Sequence, residues 1–215
     1  MTFLELQTLT SDILDDPQNG YFTLSMLKQR LNLNLRELQK RLISANHDYY
    51  TVCSYTSTVI GQAAYALPSD FLQIIRLDFV LSGLGVTAQT QKIIKITPNQ
   101  IDLIVDTQGR PAYYYFQKNN LILAPVPDAV YTLHLEYSYY VQDIILDADL
   151  PDAPQQFHPY IAYLTARDCM VKDGRALGSI QKQLDDYELL LKQIADQRNA
   201  DGPRMIVTTD QLDFQ

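Results

Sequence analysis

The side chains that could carry out bond-making chemistry are few and lie far apart in this sequence. The three histidines, His47, His134 and His158, fall in different predicted elements, and none has a neighbour at the spacing of a metal ligand or a catalytic triad. The sequence has no serine-hydrolase, zinc-peptidase or phosphate-binding motif. It therefore nominates no catalytic residue, and we expect a protein that is not an enzyme and that binds no cofactor.

Two other groups of side chains have simpler explanations than catalysis. Cys53 and Cys169 are distant in sequence and have no partner at a metal-binding spacing, which is typical of buried thiols in a reducing compartment. Asp147, Asp149 and Asp152 could present carboxylates to a divalent cation, but the glycine and bidentate glutamate of a calcium loop are missing. Aspartates before a proline-led helix also serve as caps, so we predict no metal site.

Charge is distributed unevenly along the 215 residues. The formal net charge of -8 argues against general polyanion binding, because phosphate contacts need clustered Lys and Arg. Residues 21–46 nevertheless contain a single acid, Glu37, among five basic residues: Lys28, Arg30, Arg36, Lys40 and Arg41. Fifteen tyrosines without any tryptophan suit sheet faces and wet protein interfaces. No secretion signal and no apolar run of membrane-spanning length is visible, so we expect a soluble protein made in the cytoplasm.

The middle of the chain has the period of two that is typical of β-strands. Residues 109–140 predict two short strands joined at Asn119 and Asn120, a proline-bracketed turn at 125–128 and one long strand, together an antiparallel meander. Its expected core-facing residues are Tyr113, Tyr115, Leu121, Leu123, Leu133, Leu135 and Tyr137. Further strands are predicted near residues 50–56, 64–67, 71–81 and 92–97, with one or two helical turns at 98–105.

Both ends of the chain have helical periodicity. A first helix is predicted from Phe3 to Leu14, and a second follows Thr23 as its N-cap. Apolar residues of this second helix recur at spacings of three and four, and they are Leu24, Leu27, Leu31, Leu35, Leu38 and Leu42. Whether residues 32–34 break it stays open. The C-terminal half predicts a helix around residues 157–170 and then a heptad-like seam from Leu177 to Ile194.

This order of elements predicts the α+β class, with N- and C-terminal helices packed as a bundle beside a central antiparallel β module that is sandwich or barrel-like. We expect the N-terminal helices in 1–48, the β module in 49–146, C-terminal helices that join them in 147–200, and an extended C-terminal arm in 201–215. The arm combines β-prone and apolar side chains on a polar thread, which favours addition to a partner. These side chains are Met205, Ile206, Val207, Leu212 and Phe214.

Two alternative functions follow from parts of this pattern. A break at 32–34 would create a helix-turn-helix in which Arg36, Lys40 and Arg41 face DNA, as in a winged-helix DNA-binding protein. The acidic chain and the lack of a second basic patch argue against it. A β-sandwich module that binds a small ligand, such as a glycan stacked on tyrosine side chains, is the other alternative.

With its elements placed, the sequence resembles the head-to-tail adaptor proteins of tailed bacteriophages, also called head-completion or connector proteins, including the tubular adaptors. The resemblance covers residues 4–199 in order. It is carried by LSMLKQRLNLNLRELQKRL at 24–42, YALPSDFL at 65–72, GRPAY at 109–113, LILAPVPD at 121–128 leading to YTLHLEY at 131–137, and the closing pair of helices.

The resemblance implies a virion structural protein at the head–tail interface, made in the host cytoplasm. It implies a homo-oligomeric ring of twelve subunits that docks on the portal protein and meets a tail-side protein, which is a tail nozzle, tube or head-closure protein. The ring would enclose the DNA channel without sequence-specific binding or membrane contact, and would serve tail assembly and genome ejection. The helices would dock on the portal, the β module would face the tail, and the arm would reach the portal or a neighbour.

The candidate interface residues for the portal or a neighbouring subunit come from the basic helix and the arm. We favour a protein interface over a channel lining for the basic side chains, because strong phosphate contacts would hold the DNA and keep it from sliding. The candidates are Arg36, Lys40, Arg41, Met205, Ile206, Val207, Leu212 and Phe214.

Overall fold

The computed structural model describes residues 1–45, 49–82, 89–97, 99–100 and 108–200. In these ranges the chain has four α-helices and eight β-strands, which confirms the α+β class. The helices are α1 Phe3–Ile13, α2 Leu24–Ala45, α3 His158–Lys172 and α4 Gly178–Ala200. The strands are β1 Thr51–Ser57, β2 Ala64–Ala66, β3 Phe71–Ser82, β4 Gln89–Lys92, β5 Ile94–Lys95, β6 Tyr113–Gln117, β7 Asn120–Ala124 and β8 Thr132–Tyr139.

Two compact units share this chain. The helical unit combines Met1–Asn46 with Asp143–Gln215, and the β unit is His47–Gln142. The boundary at Asp143 assigns residues 143–146 to the helical unit, whereas the sequence led us to expect them at the end of the β module.

The second helix is unbroken from Leu24 to Ala45. Thr23 caps it, because its hydroxyl lies 3.4 Å from the Met26 amide, which donates to it. Asn34, at the expected break, is buried, and its side-chain amide donates to Thr165 and Asp168 of α3 at 3.2 and 3.1 Å. The side-chain amide of Asn34 thus has hydrogen-bond acceptors on α3. The turn at 32–34 that the helix-turn-helix alternative requires is not formed.

The four helices pack as a bundle in which α3 contacts each of the other three. Five of the six leucines predicted for the stripe of α2 form the centre of its buried face, since Leu27, Leu31, Leu35, Leu38 and Leu42 are each at most 1% exposed. The sixth, Leu24 at the first position of the helix, is 48% exposed. The seam of α4 packs on α2 and α3 through the buried side chains of Ile180, Leu184 and Leu191. The predicted bundle of N- and C-terminal helices is therefore confirmed.

The β unit is a sandwich of two four-stranded sheets. Strand order is β1-β8-β3-β4 in the first sheet and β2-β7-β6-β5 in the second, and the sheets do not close into a barrel. All neighbours pair antiparallel except β5 and β6, which are parallel. The core lies between the sheets and draws on both of them, with Tyr65, Leu77, Phe79, Ile93, Tyr114, Leu121, Leu123 and Leu133.

The predicted meander is wrong in its topology. β6 and β7 form a hairpin in the second sheet, but β8 pairs with β1 and β3 in the first sheet. The turn at residues 125–128 therefore carries the chain from one sheet to the other. The hairpin turn also lies earlier than expected, because Lys118 has the positive φ of 53° and Asn120 already pairs with Gln117. Similarly, the strand expected at 92–97 divides between the sheets at the buried Ile93.

The core face of β6 is the opposite of the predicted one. Tyr114 and Phe116 face the core, whereas Tyr113 and Tyr115 were expected there. Tyr114 pairs with Leu123 across the hairpin, and directly opposed residues of antiparallel strands share a face. The run of four aromatic residues offers no contrast in polarity, so its periodicity could not tell one face from the other. The helical turns predicted at 98–105 lie mostly outside the described residues.

Candidate interaction surfaces

The outward side of α2 presents one apolar and two basic side chains, which we call the outer row: Leu33, Arg36 and Lys40. Their spacing of three and four places them on one side of the helix. Leu33 is 53% exposed, and the Lys40 side chain is 73% exposed, with its ammonium 3.9 Å from the carboxylate of Glu37. Arg36 is half exposed and pairs with Asp143. The structure thus brings two of the three predicted basic residues together on an open surface.

Arg41, the third basic residue, is directed into the bundle. Its guanidinium donates to the Tyr160 hydroxyl at 2.8 Å, to Glu188 at 3.1 Å and to Glu37 at 3.3 Å. Burial by itself would lower the pKa of this guanidinium, but Tyr160 and the carboxylates of Glu188 and Glu37 raise it above its usual value. Arg41 therefore joins α2 to α3 and α4 through its Nη1, while its Nε donates to Glu37 within α2.

Residues 143–150 lie along α2 and the start of α1, held by side chains and backbone. The Ile144 amide donates to the Asn32 side chain at 2.8 Å, and the Asn32 amide returns a bond to the Ile144 carbonyl at 3.1 Å. The Asp147 carboxylate accepts from Lys28 at 2.7 Å and from Gln7 at 3.0 Å. These two donors hold the pKa of Asp147 below its usual value.

Backbone bonds tie the same segment to the first turn of α1. The amides of Phe3 and Leu4 donate to the carbonyls of Asp149 and Asp147 at 2.8 and 2.9 Å. Both amides belong to the first turn, where backbone donors lack partners inside the helix. Segment 143–150 therefore caps α1 and is held in one conformation.

Three large aliphatic side chains of this segment and one at the start of α1 are exposed, and we call these four the apolar ridge: Leu4, Ile145, Leu146 and Leu150. They are 53%, 77%, 64% and 65% exposed. Exposed apolar patches of a few hundred Å² on a monomer often mark protein interfaces. Sequence reasoning missed the ridge because it interpreted 147–154 as an acidic boundary, although the Ile-Ile-Leu run beside it was a visible signal.

His134 and the two cysteines, which are among the chemically capable residues of the sequence, lie in packing contacts or on the surface. His134 stacks on Tyr55 with ring centroids 4.9 Å apart, and its Nδ1 lies 3.9 Å from the buried carboxylate of Asp78. Cys169 is buried as predicted, but Cys53 is exposed on β1, so the prediction of two buried thiols is wrong for Cys53. Within the described residues there is no group of His, Cys, Asp and Glu that could hold a metal ion.

Other predicted positions lie outside the described residues. His47 and the five arm residues are among them: Met205, Ile206, Val207, Leu212 and Phe214. Among the helices that are described, none is both long enough and apolar enough to span a membrane.

A helical bundle with an exposed apolar ridge and a basic outer row has the kind of surface that is common in proteins that contact other proteins. Residues 1–207 match the model of the SU10 adaptor protein family, so the chain belongs to this family of phage head-to-tail adaptors. The resemblance found in the sequence is thereby confirmed. No curated protein matches the chain. The family is structural, and an adaptor of this kind is a component of the phage particle that interacts with other virion proteins.

Proposed function

We propose that this protein forms a ring of twelve copies that docks on the portal, joins the capsid vertex to the tail and surrounds the channel for DNA passage. The apolar ridge is the observation that carries the proposal. Three exposed aliphatic side chains on a segment held by at least six hydrogen bonds, together with the exposed Leu4 of α1, are a binding surface that needs little further ordering.

In the ring, the ridge packs against the neighbouring copy. A closed ring of identical subunits repeats one heterologous contact, in which the ridge of each copy meets a different, complementary surface of the next copy. Burying one Leu or Ile side chain contributes about 1.5–3 kcal/mol, so the ridge is large enough to form the centre of such an interface.

The outer row of α2 supplies the portal contact. Arg36 and Lys40 lie on the open side of the helix, where they can meet acidic groups, and Leu33, one turn before Arg36, adds an apolar contact at the end of the row. Among the described residues, Lys40 has an ion pair only with the distant Glu37, which leaves its charge available to the portal. The β unit meets the tail-side protein, and the arm at 201–215 contacts the portal or a neighbouring copy.

The experiment measures mass by light scattering and shape by negative-stain imaging, for the chain alone and mixed with the portal protein of the same phage. We expect a twelve-copy ring on the portal. A chain that stays monomeric and ignores the portal overturns the proposal, and one that then retards a DNA duplex would favour the winged-helix alternative.

Substitution of the ridge tests the observation that carries the proposal. Combining Ile145→Asp with Leu146→Asp should raise the concentration needed for ring formation at least tenfold, because each change removes a buried apolar contact and adds a charge. Val130→Asp is the matched control, since Val130 is 66% exposed in the β unit. Circular dichroism checks that all variants fold. Rings that form equally well with the double variant would show that the ridge is not an interface.

A further inference from the structure

An open groove of about 880 Å³ runs along the β unit between β3 and β5, where the two sheets of the sandwich do not join. Its walls include Leu72 and Ile74 of β3 on one side and Ile94 and Phe116 of the second sheet on the other. Ile94 is 57% exposed, and the other three are half-buried. The side of the core is therefore accessible along this groove.

Both walls of the groove offer strand edges. β3 pairs with β8 from Phe71 to Val80, but with β4 only from Asp78 onward. In the part of the chain that the structure describes, no strand pairs with residues 72–76 on the edge away from β8. The opposite wall ends in β5, the outermost strand of its sheet. An unpaired edge beside an apolar groove is the arrangement that accepts an added peptide strand.

The charge around the groove selects an acidic strand. Lys92 and Lys95 line it, and neither lies within ion-pair distance of a described carboxylate. Arg76 also lines it but already pairs with Asp78. The Lys95 ammonium lies 5.2 Å from the centroid of Phe116, so cation and apolar surface adjoin each other. An occupant should therefore combine apolar side chains with carboxylates.

The arm of this chain has that chemistry. From residue 205 to residue 215 it has the acids Asp210 and Asp213 and no Lys or Arg. Ile206, Leu212 and Phe214 share one face of an extended strand, because they are separated by even numbers of residues. At about 3.3 Å per residue, this stretch reaches roughly 35 Å, which is long enough to pair with residues 72–76 and pass both lysines.

We propose that the arm of one copy adds as a strand in the β3–β5 groove of the neighbouring copy, with its aspartates beside Lys92 and Lys95. This inference rests on the proposed ring, in which exchanged arms link every copy to the next by one repeated contact. It deepens that proposal by choosing the neighbour, through its β unit, as the partner of the arm.

Crosslinking between two differently substituted chains tests the exchange. One full-length chain has Ile94→Cys and the other Thr209→Cys, both with Cys53→Ser, and they are mixed, assembled on the portal and treated with a short bis-maleimide. We expect a covalent dimer. Because each chain contributes only one new thiol, this product reports contact between copies. Light scattering records ring formation separately, so a ring without the dimer overturns the groove inference alone, and a missing ring overturns both proposals.

Charge reversal tests the recognition. Lys92→Glu with Lys95→Glu should lower the yield of dimer about tenfold, because two exposed attractions become repulsions. Lys118→Glu, an exposed lysine in the β6–β7 turn, is the matched control and should leave the yield unchanged. A yield that does not respond to the double reversal contradicts the proposal.

Two further variants test strand pairing and the choice of the neighbour. Val207→Pro in the arm should also lower the yield, because proline cannot donate to a strand ladder. A chain with both cysteines that crosslinks only within itself would show that the groove takes its own arm, which overturns the assignment to the neighbour.

Discussion

Single polar side chains in the helical unit serve to position helices. Arg41 links three helices through Tyr160 and Glu188, and Asn34 bonds to Thr165 from inside α2. Because each of these groups has hydrogen-bond partners, its removal would leave a polar atom unpaired in the bundle. Arg41 and Asn34 therefore contribute to the stability of the helical unit. The proposed interaction surfaces consist of other residues, which are exposed and are either apolar or basic.

The two cysteines should differ in reactivity with a thiol reagent on the free chain. Cys53 is exposed on β1, whereas Cys169 is buried in α3. Partial desolvation and the charge of Glu136 raise the pKa of Cys53, so its reaction should become faster as the pH rises and more thiolate forms. We expect one thiol per native chain to react and two after unfolding. Cys53→Ser is the control and should leave no reactive native thiol, and rapid native reaction of Cys169 would contradict the packing of α3.

The second helix has a buried and an exposed side, and the two sides should contribute differently to the stability of the helical unit. Its buried leucines are at most 1% exposed, whereas Leu33 on the outer row is 53% exposed. Helix formation in proteins depends mainly on tertiary packing of the apolar face, so the buried side should determine the stability of the helical unit.

Leu38→Ala and Leu33→Ala, in the same helix, measure this difference. Leu38→Ala should lower the free energy of unfolding by about 2–5 kcal/mol, because it removes buried contacts and leaves a cavity. Leu33→Ala should change it by no more than about 0.5 kcal/mol. Urea unfolding followed by the helical circular dichroism signal gives both values. Equal losses for the two variants would show that α2 is not packed as described.

At the scale of the whole molecule, the proposed function assigns Arg36 and Lys40 of α2 to portal binding, whereas the contacts of Arg41 assign it to the scaffold. Arg36→Glu with Lys40→Glu should weaken portal binding about tenfold at low salt and less at high salt, because exposed charge pairs are screened. The thermal midpoint should change little. Arg41→Gln should instead lower the thermal midpoint, because Glu188 and Tyr160 lose their cationic partner.

Binding assays at two salt concentrations, with thermal scans of each variant, separate these roles. Portal affinity that is unchanged after the double reversal would remove the outer row from the interface. An Arg41→Gln variant that is stable but no longer binds the portal would show that Arg41 belongs to the portal interface.

Local periodicity determined the parts of this structure that depend on neighbours along the chain. The leucine spacing of α2, the Thr23 cap and the seam of α4 all lie within a few helical turns, and the structure has them where the sequence predicted them. A stripe at 3.6-residue spacing can be buried only as one side of a helix, so this signal needs no tertiary context. The ordered series of such segments was also enough to indicate the adaptor family.

Only the tertiary structure decided what depends on contacts between distant residues. The sheet to which β8 belongs and the direction of Arg41 depend on partners dozens of residues away or more, and the core face of β6 depends on packing with Leu77 and Phe79 of β3. The apolar ridge has the same origin, because Asn32 and Lys28 hold the segment that contains Ile145 and Leu146 along α2. Sequence spacing records which residues can share a face, and long-range pairing selects which face is covered.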